Sequence, residues 1–457
     1  MNISSSTVAA IATPNAPGGI GIIRISGDKA LEIASRVFIP VSNAEIKSSK
    51  GYKAYYGDIV AGKEKIDEGV CLVFKAPHSY TGEDVAEINC HGGLFVTKQV
   101  LRAVIEAGAE PAGPGEFTKR AFLNGKMDLA ESESVMSLIS ASGKQAASCA
   151  LNTLEGKLSG EIKSCRDRLV NISATLSAWV DYPDDEIEEL ESGEVLSTLL
   201  DVKSKLNAII KRYDNGKVMT DGVDTAIVGK PNVGKSTIMN LLAGYERSIV
   251  TDIAGTTRDV VEERVAVGDI ILRIADTAGI HNTDNLVENL GVSLAKKRLD
   301  RAELVIAVFD GSREISEEDM NIIKASGDKK RIAIINKSDL EQKINSAEIK
   351  ANFDRTVNIS GLTGEGREDF EKALSELLIS GDFDTSAACL TSERQRACCI
   401  KATEHLDEAI NALNLGITLD AVNVCTDCAI SCLLELTGEK ASETIVNDIF
   451  SRFCVGK

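Results

Sequence analysis

The segment that most restricts what this chain can fold into is Gly229-Lys230-Pro231-Asn232-Val233-Gly234-Lys235-Ser236. It is a complete G-x-x-x-x-G-K-S phosphate loop, which works only with a buried strand before it and a helix after it. The flanks read that way: 223–228 is an apolar run, and 235–242 has helical spacing. In such a loop the amides of Val233, Gly234, Lys235, Ser236 and Thr237 turn toward the α- and β-phosphates at a helix N-terminus. Lys235 reaches the β/γ oxygens, and the Ser236 hydroxyl sits on Mg²⁺.

With 457 residues the chain is too long for one ordinary core and implies two or three domains. It is 43% hydrophobic and 26% charged, a globular composition, with no apolar run of membrane-spanning length. The first residues lack the basic and apolar regions of a secretory signal. Eleven cysteines in such a chain are expected as free thiols in a reducing cytoplasm. The net charge of −18 excludes a protein that lives by non-specific nucleic-acid contact; any RNA must meet a local patch or a basic partner.

The fold class read from the pattern is α/β multidomain: a Ras-like doubly wound G domain inserted in a helical domain, preceded by an α+β domain. Residues 1–120 form the α+β module, with strand-like runs at 8–12, 21–25, 55–59, 70–74 and 85–90 and a helix at 94–107. Residues 121–217 and 378–457 are helical, with the acidic run 181–186 read as a solvated loop. Residues 218–377 alternate strand and helix, with strands expected at 260–267, 270–275, 304–309 and 332–335.

Three further motifs follow the phosphate loop in order. Asp276-Thr277-Ala278-Gly279 closes an apolar strand; the aspartate can hold Mg²⁺ through water, and the glycine amide can sense the γ-phosphate. Asn336-Lys337-Ser338-Asp339 ends another strand, and Asp339 can accept from N1–H and the 2-amino group of guanine, a donor pair adenine lacks. Ser360 stands where a backbone amide meets guanine O6, although Gly361 follows it where alanine is more usual. Together these select GTP over ATP.

Between them lies a switch segment, with Thr251, Asp252, Ile253, Ala254, Gly255, Thr256 and Thr257 expected around the nucleotide. Thr257 is the first choice to complete the Mg²⁺ shell, with Thr256 the other option. Ile280 follows Gly279 where Ras-like enzymes carry a water-orienting glutamine, so another group must align the water. Asn232 can offer its carbonyl oxygen to a monovalent cation, K⁺, lying among the phosphates in place of an arginine finger. Thr251, Ile253 and Thr256 are candidates to complete that shell, and Glu288 can hold the attacking water through a second water. The alternatives are a tolerated polar loop residue at Asn232 and an exposed helix glutamate at Glu288.

Outside this region, PNAPGGIGIIRISG at 14–27, SYTGEDV at 79–85, CHGG at 90–93, PGEFTKRAFLNG at 114–125 and the terminal FCVGK at 453–457 resemble signatures of the MnmE/TrmE family of bacterial tRNA-modification GTPases. The resemblance covers essentially the whole chain. It implies a K⁺-dependent GTPase that forms a homodimer through an N-terminal domain binding 5,10-methylenetetrahydrofolate, its G domains pairing on GTP. It also implies a partner, MnmG, which carries FAD, in a heterotetramer or larger. The two install an aminomethyl or carboxymethylaminomethyl group at C5 of the wobble uridine of certain tRNAs.

For folate, Arg24, Tyr80, Glu83, Glu116, Arg120 and Lys457 are of suitable type within or beside the matching segments, and bracing the domain or the dimer is the competing role. Cys454, on the tail, is a candidate nucleophile or acid–base group in the uridine chemistry; the bland role is packing beside Phe453. Two departures stand out: His281 replaces an arginine of some relatives, and Asp427 stands where arginine is expected. The other reading of the chain is a switch-type GTPase acting as a ribosome-assembly scaffold, without modification chemistry.

Overall fold

The computed structural model describes residues 6–141, 143–181, 192–220, 222–243, 262–268, 270–275, 302–327, 329–378 and 387–457. In chain order the first part holds β1 (Val8–Ile11), β2 (Ile20–Ser26), α1 (Ala30–Val37), β3 (Phe38–Pro40), β4 (Lys53–Ala61), β5 (Glu64–Phe74), β6 (Val85–His91), α2 (Leu94–Glu106), β7 (Glu110–Pro111) and α3 (Glu116–Leu123). Four helices follow: α4 (Leu129–Ser140), α5 (Lys144–Leu154), α6 (Lys157–Asp181) and α7 (Ser192–Thr220). Then come β8 (Val223–Val228), α8 (Lys235–Ala243), β9 (Glu262–Val267), β10 (Ile270–Ala275), β11 (Leu304–Asp310), α9 (Glu317–Ala325), β12 (Lys330–Asn336), α10 (Ser346–Lys350), β13 (Arg355–Ile359) and α11 (Arg367–Leu378). The chain closes with α12 (Glu393–Asn414), α13 (Leu419–Thr437) and α14 (Glu443–Ser451).

The chain divides into two compact units. The first comprises residues 1–136, 154–203 and 392–457. Its seven-stranded sheet runs β3-β4-β5-β6-β2-β1-β7. Helices α1 and α2 cover one face, where Ile23, Ile25, Ile88, Ala34, Val100 and Val104 are sealed from water. The expected strands at 8–12, 21–25, 55–59, 70–74 and 85–90 all lie within or against observed ones, and α1, β3, β7 and α3 are additional. Helix α1 is only eight residues long and runs directly into β3, too short a window for helical periodicity to declare itself.

The C-terminal tail of this unit lies against the turn that starts α3. Pro114 and Val455 form an antiparallel bridge, Gly115 N–H donates to the Cys454 carbonyl at 3.3 Å, and Phe117 N–H donates to the Lys457 carbonyl at 3.1 Å. Gly456 adopts φ +100°, and a Cβ there would lie 2.2 Å from the Ile11 carbonyl oxygen. Only glycine permits that approach. Phe450 and Phe453, with Leu129, Val135 and Val446, bury the base of the tail.

The second unit comprises residues 137–153 and 204–391. Its six-stranded sheet runs β13-β12-β11-β8-β10-β9, parallel throughout except for the β9–β10 pair. Both faces are covered, so β11 and β12 are nearly continuous apolar runs and not alternating ones. The strand order reverses at β8, and the carboxyl ends of β8, β11, β12 and β13 open on one edge. That edge beside the reversal is where open α/β sheets bind ligands. Among the described residues no helix is long and apolar enough to cross a membrane.

Candidate functional site

The phosphate loop follows β8 at this reversal and enters α8, as the strand–loop–helix pattern requires. Gly234 has φ +96°, and a Cβ there would lie 2.2 Å from Asn336 Nδ2, so the loop can approach that side chain only with glycine. Asn336 Nδ2 donates to the Val233 carbonyl at 2.8 Å, tying the loop to the end of β12. Lys235 Nζ donates to the carbonyls of Gly229 and Lys230, both at 2.7 Å. An ammonium has three donors, so one remains for an anion. Burial lowers the Lys235 pKa, so a phosphate entering here meets a cation with little water to screen it. Ser236 and Thr237 are exposed in the first turn of α8.

Asn232 is exposed and has φ +61°. Asparagine tolerates this left-handed conformation better than most residues. Its presence therefore has a backbone reason beside the cation reading, and a test must separate the two.

The candidate base-reading side is built from the ends of β12 and β13. Asn336 Oδ1 accepts from Gly361 N–H at 3.0 Å. Ser360 Oγ donates to Asp339 Oδ1 at 2.6 Å and accepts from Thr363 N–H at 3.1 Å. Asp339 is exposed, with its second oxygen left for a base edge. The sequence reading of Ser360 needs correcting: its amide is not offered to a ligand, because it donates to the Glu365 carbonyl at 3.0 Å. Ser360 acts through its hydroxyl, orienting Asp339. Glycine at 361 suits the spot, since a Cβ would lie 3.0 Å from Thr237 Cγ2.

Sequence reasoning missed the supports. Lys337, at φ +64°, donates from Nζ to Asp310 Oδ2 at 2.7 Å. Asp310 Oδ1 accepts from both the amide and the hydroxyl of Ser312. Although burial alone would raise it, the Asp310 pKa is lowered by Lys337 and Ser312. The signal was present: Asp310 directly follows an apolar run in the sequence, as Asn336 does. Thr251, Asp252, Ile253, Ala254, Gly255, Thr256, Thr257, Asp276, Thr277, Ala278, Gly279 and Glu288 lie outside the described residues.

In the first unit the six folate candidates lie about α3 in two groups, Arg24 with Tyr80 and Arg120 with Glu83 and Glu116, while Lys457 meets the helix through its carbonyl. Arg24 donates to Glu87 at 2.7 Å, and its guanidinium lies 5.3 Å from the Tyr80 ring centroid and 5.5 Å from that of Phe117. Tyr80 shares a hydrogen bond with Thr118 on α3 at 2.9 Å, and burial raises its pKa. Arg120, 2% exposed, pairs with Glu116 at 3.0 Å and Glu83 at 3.1 Å and donates to the Ser6 carbonyl. Most of these groups are already partnered, which gives each a bracing role. Arg120 Nη2 is the exception, buried without a partner. Lys457 joins through its carbonyl. Cys454 is exposed and does not pack beside Phe453 as an apolar filler.

Two family models match the chain: "GTP-binding protein TrmE N-terminus" over residues 7–126 and "MnmE helical domain" over residues 129–454. Curated relatives called tRNA modification GTPase MnmE include one from Acetivibrio thermocellus, 41% identical over 456 residues, covering 99% of each chain. Another, from Lactobacillus acidophilus, is 39% identical over 456 residues, covering 99% of this chain and 98% of the relative. Among solved structures, a single-residue variant of Aquifex aeolicus Era bound to GDP.AlF4- is 28% identical over 40% of this chain and 65% of its own, with TM-score 0.26.

Proposed function

This chain belongs to the MnmE family of tRNA modification GTPases, and on that premise we propose that K⁺-dependent GTP hydrolysis drives one-carbon chemistry on the wobble uridine of certain tRNAs. The observation that carries the nucleotide part is the pre-formed reader at the strand ends: Asp339 held by Ser360, and Asn336 bridging Val233 and Gly361. Mg²⁺ falls to Ser236, with Thr257 and Asp276 completing its surroundings. Asn232, with Thr251, Ile253 and Thr256, is the proposed K⁺ shell, and Glu288 holds the water.

The folate reading rests on Arg24, Tyr80, Glu83, Glu116, Arg120 and Lys457 gathered about α3, where a buried Arg120 nitrogen still lacks a partner. The tail carrying Cys454 is bonded to the turn that starts α3, which supports a thiol close to the one-carbon donor. Homodimerisation through the N-terminal module is supported by its edge: β3 ends the sheet, and Ile39, Val41 and Tyr56 are exposed along it. The FAD protein MnmG is the proposed partner, in the cytoplasm. The proposed domains are 1–120, 121–217 with 378–457, and 218–377.

The test is nucleoside mass spectrometry of tRNA from cells lacking the chain. The C5-modified wobble uridine should disappear, return with the wild type and stay absent with Lys235→Ala. Unchanged tRNA beside defective ribosomal subunits would leave the scaffold reading.

A further inference from the structure

Lys230 lies inside the phosphate loop, yet its side chain points away from the cradle. Its Nζ lies 2.6 Å from Asp319 Oδ2 and 2.8 Å from Ser316 Oγ. These two residues form the capping box that starts α9: Ser316 accepts from the Asp319 amide, and Asp319 Oδ2 accepts from the Ser316 amide at 2.9 Å. Asp319 is 3% exposed, and its other oxygen, Oδ1, is buried without a partner. Its charge is therefore countered chiefly by Lys230.

The same Lys230 offers its carbonyl to the Lys235 ammonium at 2.7 Å. Lys230 thus joins the helix cap to the phosphate-binding lysine through one residue. Fixing its side chain limits how far its peptide can rotate, and so fixes one of the two carbonyls that aim Lys235. The other, Gly229, is pressed against β11, where a Cβ would lie 2.5 Å from the Val308 carbonyl oxygen.

We propose that Asp319, acting through Lys230, is a positioning residue for GTP hydrolysis that holds the Lys235 ammonium toward the β/γ-phosphates. Neither residue need touch the nucleotide with its side chain. The inference rests on the GTP-hydrolase assignment and goes beyond it by naming what pre-organises the loop.

The experiment measures steady-state GTP turnover and thermal unfolding for the full chain and for Lys230→Arg, Lys230→Met, Asp319→Asn, the Met/Asn double variant and Lys235→Ala. Turnover is read at a temperature where circular dichroism shows each variant folded. Lys230→Met and Asp319→Asn should each lower kcat by roughly tenfold, given that misplacements of about 1 Å cost up to ~100-fold. Lys230→Arg, able to reach the same carboxylate, should restore kcat to within about twofold. The double variant should be no slower than the slower single one, as expected of residues acting as a unit. A merely structural pair lowers the melting temperature while leaving kcat and KM of the folded protein unchanged, and that result overturns the proposal. So do multiplicative effects in the double variant. If the wild type itself hydrolyses GTP no faster than Lys235→Ala, the GTP-hydrolase assignment fails and takes the proposal with it.

Discussion

Ser360 Oγ donates to Asp339 Oδ1 at 2.6 Å, although the two lie on loops after different strands. That bond fixes the orientation of the Asp339 carboxylate. It leaves the other oxygen of this exposed residue for the proposed contact with the N1–H and amino group of guanine. Asp339→Asn presents one donor and one acceptor, which match xanthine. GTP affinity should fall about 100-fold or more, because a site built around a hydrogen-bond pair strongly rejects a base that cannot make it. Xanthosine triphosphate should become the preferred substrate in competition turnover assays.

Arg120 is the most consequential buried charge described. It is 2% exposed and neutralises both Glu83 and Glu116. Arg120→Ala leaves the half-buried carboxylates of Glu83 and Glu116 without their shared cation, a loss of about 2–3 kcal/mol once their partial exposure is allowed for. Thermal unfolding should show it as a large drop in the transition of the N-terminal unit, and Arg120→Lys should recover only part, since one ammonium nitrogen cannot occupy both the Nε position that bonds Glu116 and the Nη1 position that bonds Glu83 and Ser6.

The tail depends on Gly456. With φ +100° and no room for a Cβ beside Ile11, Gly456→Ala should cost about 1–3 kcal/mol locally and release the last residues. Carboxypeptidase should then remove Lys457 faster than from the wild type. Equal digestion rates would show that the tail is not held as described.

Asp310 gives a pH signature. Lys337 and Ser312 hold its carboxyl below the ordinary value of 3.8. A group with a depressed folded pKa stabilises the fold fully above its unfolded value, and that stabilisation is lost as pH falls through the folded value. The stability gap between wild type and Asp310→Asn should therefore be constant from neutral pH down to about 4. Below that it should close. A gap independent of pH into the acid range would remove the charge from the account.

The G-type sheet was legible because apolar strands covered on both faces leave uninterrupted runs: the expected 304–309 and 332–335 lie within β11 and β12. Asn336 and Asp339 were legible as a motif at a strand end. What escaped were side chains whose meaning depends on a distant partner. Asp310 matters because Lys337 reaches it, and Asp319 because Lys230 does. Ser360 was found for its position but assigned the wrong atom, because the turn that brings Glu365 back to its amide is invisible in sequence. The docking of residues 454–457 beside α3 is likewise a match between segments more than three hundred residues apart in the sequence.

The most direct test of the K⁺-dependent mechanism is GTP turnover in K⁺ against Na⁺ at equal ionic strength, for wild type and Asn232→Gly. Glycine keeps the left-handed backbone at φ +61° while removing the side-chain carboxamide and its carbonyl oxygen. The account predicts fast turnover in K⁺ alone, with the stimulation lost in the variant. Equal turnover in Na⁺, or full K⁺ stimulation in Asn232→Gly, would contradict it.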